Sequence, residues 1–158
     1  MEHPKAIGDR TTLAVMLALD HAGYPILVPF GENTRYDLVI DEGFRLARVQ
    51  CKTGRLRQGA VRFNACSFYA HHRNPREPSR DYLGEIDYFA VYCPETQGVY
   101  LVPIEDTPVR RLGSLRVDPP ANGQRQRIRF ASLYEIATVT VDVRKELLVT
   151  PGTAGSRA

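Results

Sequence analysis

The stretch Tyr36-Asp37-Leu38-Val39-Ile40-Asp41-Glu42-Gly43-Phe44, followed by Val49-Gln50-Cys51-Lys52, decides how this chain is read. Two β-rich runs, residues 36–40 and 44–52, flank Glu42-Gly43, a dipeptide suited to a two-residue hairpin turn. In that register Asp41 faces Phe44 and Asp37 faces Arg48. Side chains alternate along a strand, so Asp37, Arg48, Gln50 and Lys52 project from one face of the hairpin. A carboxylate, an amide oxygen and an ammonium then stand together. Such a set suits cleavage of a phosphodiester with a hard cation. Mg²⁺ takes oxygen ligands and keeps several waters, so Asp37, Gln50, the backbone carbonyl of Cys51 and a DNA phosphate can hold it. The metal polarises the phosphate and lowers the pKa of a bound water, while Lys52 orients that water or stabilises charge in the transition state.

Working outward, residues 7–22 carry Leu13, Ala14, Met16, Leu17 and Ala18 at helical spacing, with Val15 and Leu19 widening the apolar surface. This predicts a mostly buried helix, with Asp9 as its N-cap and Gly23 as its left-handed terminator. Residues 24–29 and 60–63 read as further strands of an antiparallel meander punctuated by Gly31, Asn33, Gly54 and Gly59. Residues 70–82, AHHRNPREPSRDY, read as a long loop. Beyond it, residues 87–93 and 99–103 flank Pro94-Glu95-Thr96-Gln97-Gly98, a hairpin signal. Residues 112–117 are a candidate strand and 119–123 a turn; 128–149 mixes a helical piece at 133–136 with the β-rich ATVTVDV. Residues 5–150 form one expected domain, and 151–158 read as a disordered tail.

Helix first, then PFGENTRYDLVID (residues 29–41), then RVQCKTGRL (residues 48–56), resembles the PD-(D/E)XK nuclease superfamily in the variant where Gln replaces the second acid. It is similar to the branch that includes group I intron-encoded homing endonucleases of this fold, and to archaeal Holliday junction resolvases. The resemblance runs over residues 5–63 and more weakly over 87–103. It implies an α/β (mixed α+β) fold with a restriction-endonuclease-like core, an N-terminal helix followed by a mixed, largely antiparallel sheet. It also implies a metal-dependent DNA endonuclease of homing or junction-resolvase type, using Mg²⁺ or Mn²⁺ at Asp37, Gln50 and Cys51, with Lys52 catalytic. The family further implies an acid on the first helix, often a Glu four residues after a Gly. Counted from Gly8, that position is Thr12. Either Asp9 supplies the missing acid from one turn earlier, or Thr12 acts through a water, or Asp9 is a plain cap. The alternative function is a nuclease-fold DNA-binding module of weak or absent activity.

Composition bounds these readings. At 158 residues, 43% hydrophobic and 25% charged, the chain suits one domain. Folding should bury roughly 70% of the unfolded surface, enough for a core without staples. Cys51, Cys66 and Cys93 form no C-x-x-C pair, which argues against a disulfide framework or thiolate zinc site and for a reducing cytoplasm. No run approaches the roughly 20 apolar residues of a membrane span. Of 21 basic residues, 18 are Arg, a skew that fits either coding bias or phosphate contacts. Placement adds to this. Residues 43–80 hold nine basic residues against Glu77, a balance of +8; residues 110–129 hold six Arg against Asp118, a balance of +5, leaving −10 for the rest. Such segregation is the footprint of nucleic acid binding, with Arg48, Arg55, Arg57, Arg62, Arg73, Arg76 and Arg80 as expected DNA contacts. Duplex or branched DNA both fit, and both favour a homodimer or homotetramer that presents two sites to two strands. His71-His72 could bind phosphate or metal, although adjacent loop side chains point apart. Phe63, Phe68, Tyr69, Tyr88, Phe89, Tyr92 and Tyr100 suit core packing better than base stacking, and Asp87 is a cap or a link to the active centre.

Overall fold

Pro4 starts the first element because a proline at the first helical position gives up an N–H that the helix could not have used. Helix α1 (Pro4–His21) is capped by His3, whose Nδ1 accepts the Lys5 N–H at 3.2 Å. Asp9 is therefore not the N-cap: it lies in the second turn and is exposed. At the other end Gly23, at φ 90°, closes the helix as expected. The Gly23 N–H donates to Asp20 O at 2.9 Å and the Tyr24 N–H to Leu19 O at 3.0 Å, the paired bonds of a Schellman motif. The buried stripe is Thr11, Ala14, Val15, Ala18 and Leu19. Leu13 is 64% exposed, contrary to its expected place in the stripe, because a run apolar on every side leaves periodicity without a preferred face.

The computed structural model describes residues 1–66, 82–107, 112–123, 126–140 and 148–152. Its strands are β1 (Ile26–Leu27), β2 (Leu38–Asp41), β3 (Leu46–Thr53), β4 (Arg55–Arg57), β5 (Ala60–Asn64), β6 (Tyr88–Cys93), β7 (Gly98–Pro103), β8 (Leu112–Arg116), β9 (Glu135–Thr140) and β10 (Leu148–Pro151). One sheet runs β1-β2-β3-β6-β7-β9-β10, antiparallel throughout except for the parallel pair β3/β6; a second runs β4-β5-β8. The mixed, largely antiparallel sheet is thus present, but split in two. The run at 24–29 shrinks to Ile26–Leu27, and the helical piece at 133–136 is instead a 3-10 turn at Ala131–Leu133. Pro151 pairs with Ala137, so ordered structure continues into what reads as tail. The loop at 70–82, apart from Tyr82, lies outside the described residues, as do Phe68, Tyr69 and 153–158.

The large sheet is the middle layer. Strand β6 alternates: Ala90 and Tyr92 join the core under α1 with Leu38, Ile40, Ala47, Val49 and Cys51, while Phe89 and Val91 join the opposite core with Val61, Phe63 and Leu115 of the small sheet. Phe63 and Phe89 pack with tilted rings, centroids 5.6 Å apart. Of the aromatics expected in the core, Phe63, Phe89, Tyr92 and Tyr100 are buried, whereas Tyr88 is half-buried and its hydroxyl donates to Glu42 Oε1 at 2.6 Å. Chain passage from the large sheet to the small one occurs at Gly54, where a Cβ would meet Val61 Cγ1 at 2.7 Å and Val91 Cγ1 at 2.8 Å. Gly113 is crowded in the same way by the Phe63 ring. Gly113→Ala should therefore lower stability by about 1–3 kcal/mol, the cost of overpacking a filled core. A urea unfolding midpoint equal to wild type would show that the ring yields.

The β2/β3 register pairs Asp41 with Leu46, so the turn holds four residues, 42–45, rather than two. Asp41 stabilises it by accepting the Gly43 N–H on Oδ1 at 2.7 Å, with Gly43 at φ 86°. Asp37 consequently stands opposite Gln50, not Arg48. The slip is two positions, an even number, so every side chain keeps the face assigned to it.

Candidate active site

Strand β2 begins at Leu38, whereas β3 runs on to Thr53, so the N–H of Cys51 passes the end of its ladder. Asp37 completes the pairing. Its backbone N–H donates to Val49 O at 2.9 Å, and its Oδ2 accepts the Cys51 N–H at 2.7 Å. The carboxylate also contacts the Cys51 thiol. Burial pushes the Asp37 carboxyl above its ordinary value, against the opposing pull of the Cys51 N–H and the Lys52 ammonium.

Gln50 and Lys52 share the half-buried face of β3, while Ala47, Val49 and Cys51 turn into the core under α1. The Gln50 carboxamide lies 3.5 Å from the Cys51 carbonyl oxygen. Lys52 Nζ donates to Cys66 O at 3.4 Å and to the Tyr82 hydroxyl at 3.2 Å, and sits 4.7 Å from the Tyr82 ring centroid. Among the described residues two of its three N–H donors have partners. Behind the site, Thr11 of α1 and Thr53 of β3 share a hydrogen bond of 2.6 Å, which fixes the helix on the strand beside Lys52. Thr12 reaches the same neighbourhood: its hydroxyl donates to Gly8 O at 3.2 Å and also contacts the Cys51 thiol. That thiol is held protonated, chiefly by burial.

Sequence reasoning missed Tyr82 and Arg35. Tyr82 is buried, packs edge-on against Phe89 and carries the Arg35 guanidinium 4.2 Å above its ring; Arg35 in turn pairs with Glu85. The sequence holds no signal for Tyr82, 30 residues from Lys52 within an apparent loop. Arg35, two residues before Asp37, was open to notice.

The expected DNA contacts scatter. Arg48 is turned inward: its N–H donates to Asp87 Oδ2 at 2.8 Å and its guanidinium pairs with the same oxygen at 3.4 Å. Asp87 is thereby a link that joins β3 to the start of β6. Arg55 lies within electrostatic reach of Glu2 and Glu95, and Arg57 is exposed. Arg62 bonds Gln58 Oε1 at 3.2 Å. Arg73, Arg76, Arg80 and His71-His72 lie outside the described residues.

The candidate donors around Asp37 are oxygens: its own carboxylate, the Gln50 amide and the Cys51 carbonyl. This set fits a hard divalent cation rather than a soft one. Among the described residues no group of three or more His, Cys, Asp or Glu gathers to hold a metal, so Asp37 would be the one anionic ligand. Asp9, exposed on α1, does not touch Asp37 or Cys51 through any described hydrogen bond.

An N-terminal helix laid on a mixed sheet, with Asp37 at the end of one strand and Gln50 and Lys52 on the next, is the restriction-endonuclease-like α+β fold. A solved bacterial homing endonuclease, I-Ssp6803I, superposes with a TM-score of 0.56, covering 85% of this chain and 88% of that one at 24% identity. No curated protein matches the sequence. The PD-(D/E)XK endonuclease family model matches residues 2–137, and the chain belongs to that family. Among the described residues no helix is long and apolar enough to cross a membrane.

Proposed function

We propose that this protein is a divalent-metal-dependent DNA endonuclease whose cleavage site is Asp37, Gln50, the Cys51 carbonyl and Lys52. The observation that carries the reading is the half-buried Asp37 carboxylate, held by the Cys51 N–H at the end of the β2/β3 ladder and within electrostatic reach of the Lys52 ammonium. Asp37 Oδ1, the Gln50 amide oxygen and the Cys51 carbonyl would hold Mg²⁺ or Mn²⁺. A bound cation supplies Lewis acidity toward the phosphate and a more acidic water. Lys52, held by Tyr82 and Cys66, aims its remaining N–H at a phosphate oxygen or the attacking water, where a fixed positive charge favours the developing negative charge. Thr12, where the family resemblance leads one to expect an acid, favours the second reading, a DNA-binding module with little activity.

Purified protein incubated with supercoiled plasmid and with a four-way junction separates these. Nicking in Mg²⁺ or Mn²⁺ and none in chelator supports the nuclease; preference between the substrates distinguishes the homing type from the resolvase type. Binding without cleavage of either substrate, in either metal, supports the module. Cutting unaffected by chelator would remove the metal from the mechanism. Sedimentation of the complex reports whether two or four copies assemble.

A further inference from the structure

Outside the cleavage site, the even-numbered residues of β5 and β8 floor a cleft of about 610 Å³. Their odd-numbered neighbours Val61, Phe63 and Leu115 face the core, so Ala60, Arg62, Ser114 and Arg116 face outward. The opposite wall comes from the segment that carries Arg127 and Arg129. Four arginines thus converge on one concavity whose one carboxylate among the described residues is Asp106, which accepts the Tyr134 hydroxyl at 2.9 Å.

Arg10, Arg35, Arg45 and Arg48 each pair with a carboxylate, whereas Arg62, Arg116, Arg127 and Arg129 pair with none among the described residues. Arg55 and Arg57 also lack an ion pair among the described residues, but in this cleft four such guanidinium groups line one concavity. Arg116 is anchored by the carbonyls of Asp118 at 2.8 Å and Gln58 at 2.9 Å, which fixes its side chain against the floor without neutralising it. Arg127 adopts φ 61°, a backbone conformation that bulky side chains seldom take. Concentrated, unneutralised guanidinium groups call for an anion with several oxygens, and phosphate matches their donor geometry.

We infer that this cleft is a second phosphate-binding site, which grips the nucleic-acid backbone away from Asp37 and Lys52. The inference rests on the proposed DNA substrate, and continuity with the cleavage site favours a backbone over a free anion. The chain joins the two places through β5: Arg62 lies four residues before Cys66, whose carbonyl holds Lys52. Four extended residues span at most about 13 Å, the rise of roughly four base steps, so one duplex reaches both.

Fluorescence anisotropy on a labelled duplex, in chelator and across a salt series, tests this with wild type and Arg127→Gln/Arg129→Gln. The slope of log affinity against log salt should fall by about 2, with affinity near 0.1 M salt weakened at least about tenfold. The cleavage rate at saturating enzyme should stay within about twofold of wild type, since neither residue touches the reacting atoms. Should the double variant melt early, Arg62→Gln, which loses only its Gln58 bond, should still reduce the slope by about 1. An unchanged slope in well-folded variants overturns the inference. So does stabilisation of wild type, but not the variant, by inorganic phosphate or a mononucleotide at unaltered DNA affinity, which would assign the cleft to a free ligand. Wild type that binds with a steep slope yet never cuts defeats the nuclease reading and leaves the cleft standing; wild type that cuts, with variants of unaltered slope, does the reverse.

Discussion

Asp37→Asn should cut DNA at least about 100–1,000-fold more slowly than wild type while folding as well or better. The asparagine keeps an oxygen for the Cys51 N–H, so the end of the β2/β3 ladder stays closed. What disappears is the negative charge, the one anionic ligand that the described residues offer a cation at this site. Burial raises the native carboxyl above its ordinary value of 3.8, so between the two values the native state binds more protons than the unfolded state. Stability contributed by this group therefore falls as pH rises through that window and stays low above it. Asparagine carries no such penalty. Its melting temperature should equal or exceed wild type at neutral pH, and the difference should vanish below 3.8, where both side chains are neutral. A variant that cuts like wild type, or one that melts well below it at neutral pH, defeats the assignment.

Lys52→Met should lose a similar factor of about 100–1,000 in cleavage, with DNA affinity reduced only by about one phosphate contact in the salt slope. The methionine stem fills the same space, so thermal stability should change little. Lys52→Arg should not restore activity. A compact ammonium can serve Cys66 O, the Tyr82 hydroxyl and a third acceptor in different directions, whereas the planar guanidinium fork cannot. Tyr82→Phe, which retains the ring beside the ammonium but not the hydroxyl, should fall between wild type and Lys52→Met. Single-turnover rates on plasmid decide it: rescue by arginine would mean that charge alone suffices at position 52.

The face shared by Asp37, Gln50 and Lys52 was legible because it depends on parity. Mistaking a four-residue turn for a two-residue one moved the register by two and left each side chain where alternation put it. The partner opposite Asp37 was not legible, since it depends on the turn length that Asp41 and Gly43 set together. The helix start was available in His3-Pro4 but was obscured by Asp9, an equally good capping residue on type alone. The second sheet was hidden for a different reason: β4 is three residues long, and its partner β5 pairs on the other side with β8, about fifty residues further along the chain, so local patterning carries no trace of that pairing. Tyr82 and Asp87 reach the site through the parallel β3/β6 pair, another contact between distant segments. Charge segregation is blind to pairing, so it could not distinguish Arg48, which pairs with Asp87, from Arg62, which has no carboxylate partner among the described residues.

Gly54 gives the molecule a fixed ruler. With no room for a side chain between Val61 and Val91, the backbone passes from the strand that carries Gln50 and Lys52 to the sheet that carries Arg62 and Arg116 without a linker, and the separation of the two is built into one residue's fit. A nuclease with such a gauge would not choose independently where it holds and where it cuts. Moving the cut relative to the grip would require rebuilding the junction between the sheets, whereas changing the length of an outer loop would leave that spacing untouched.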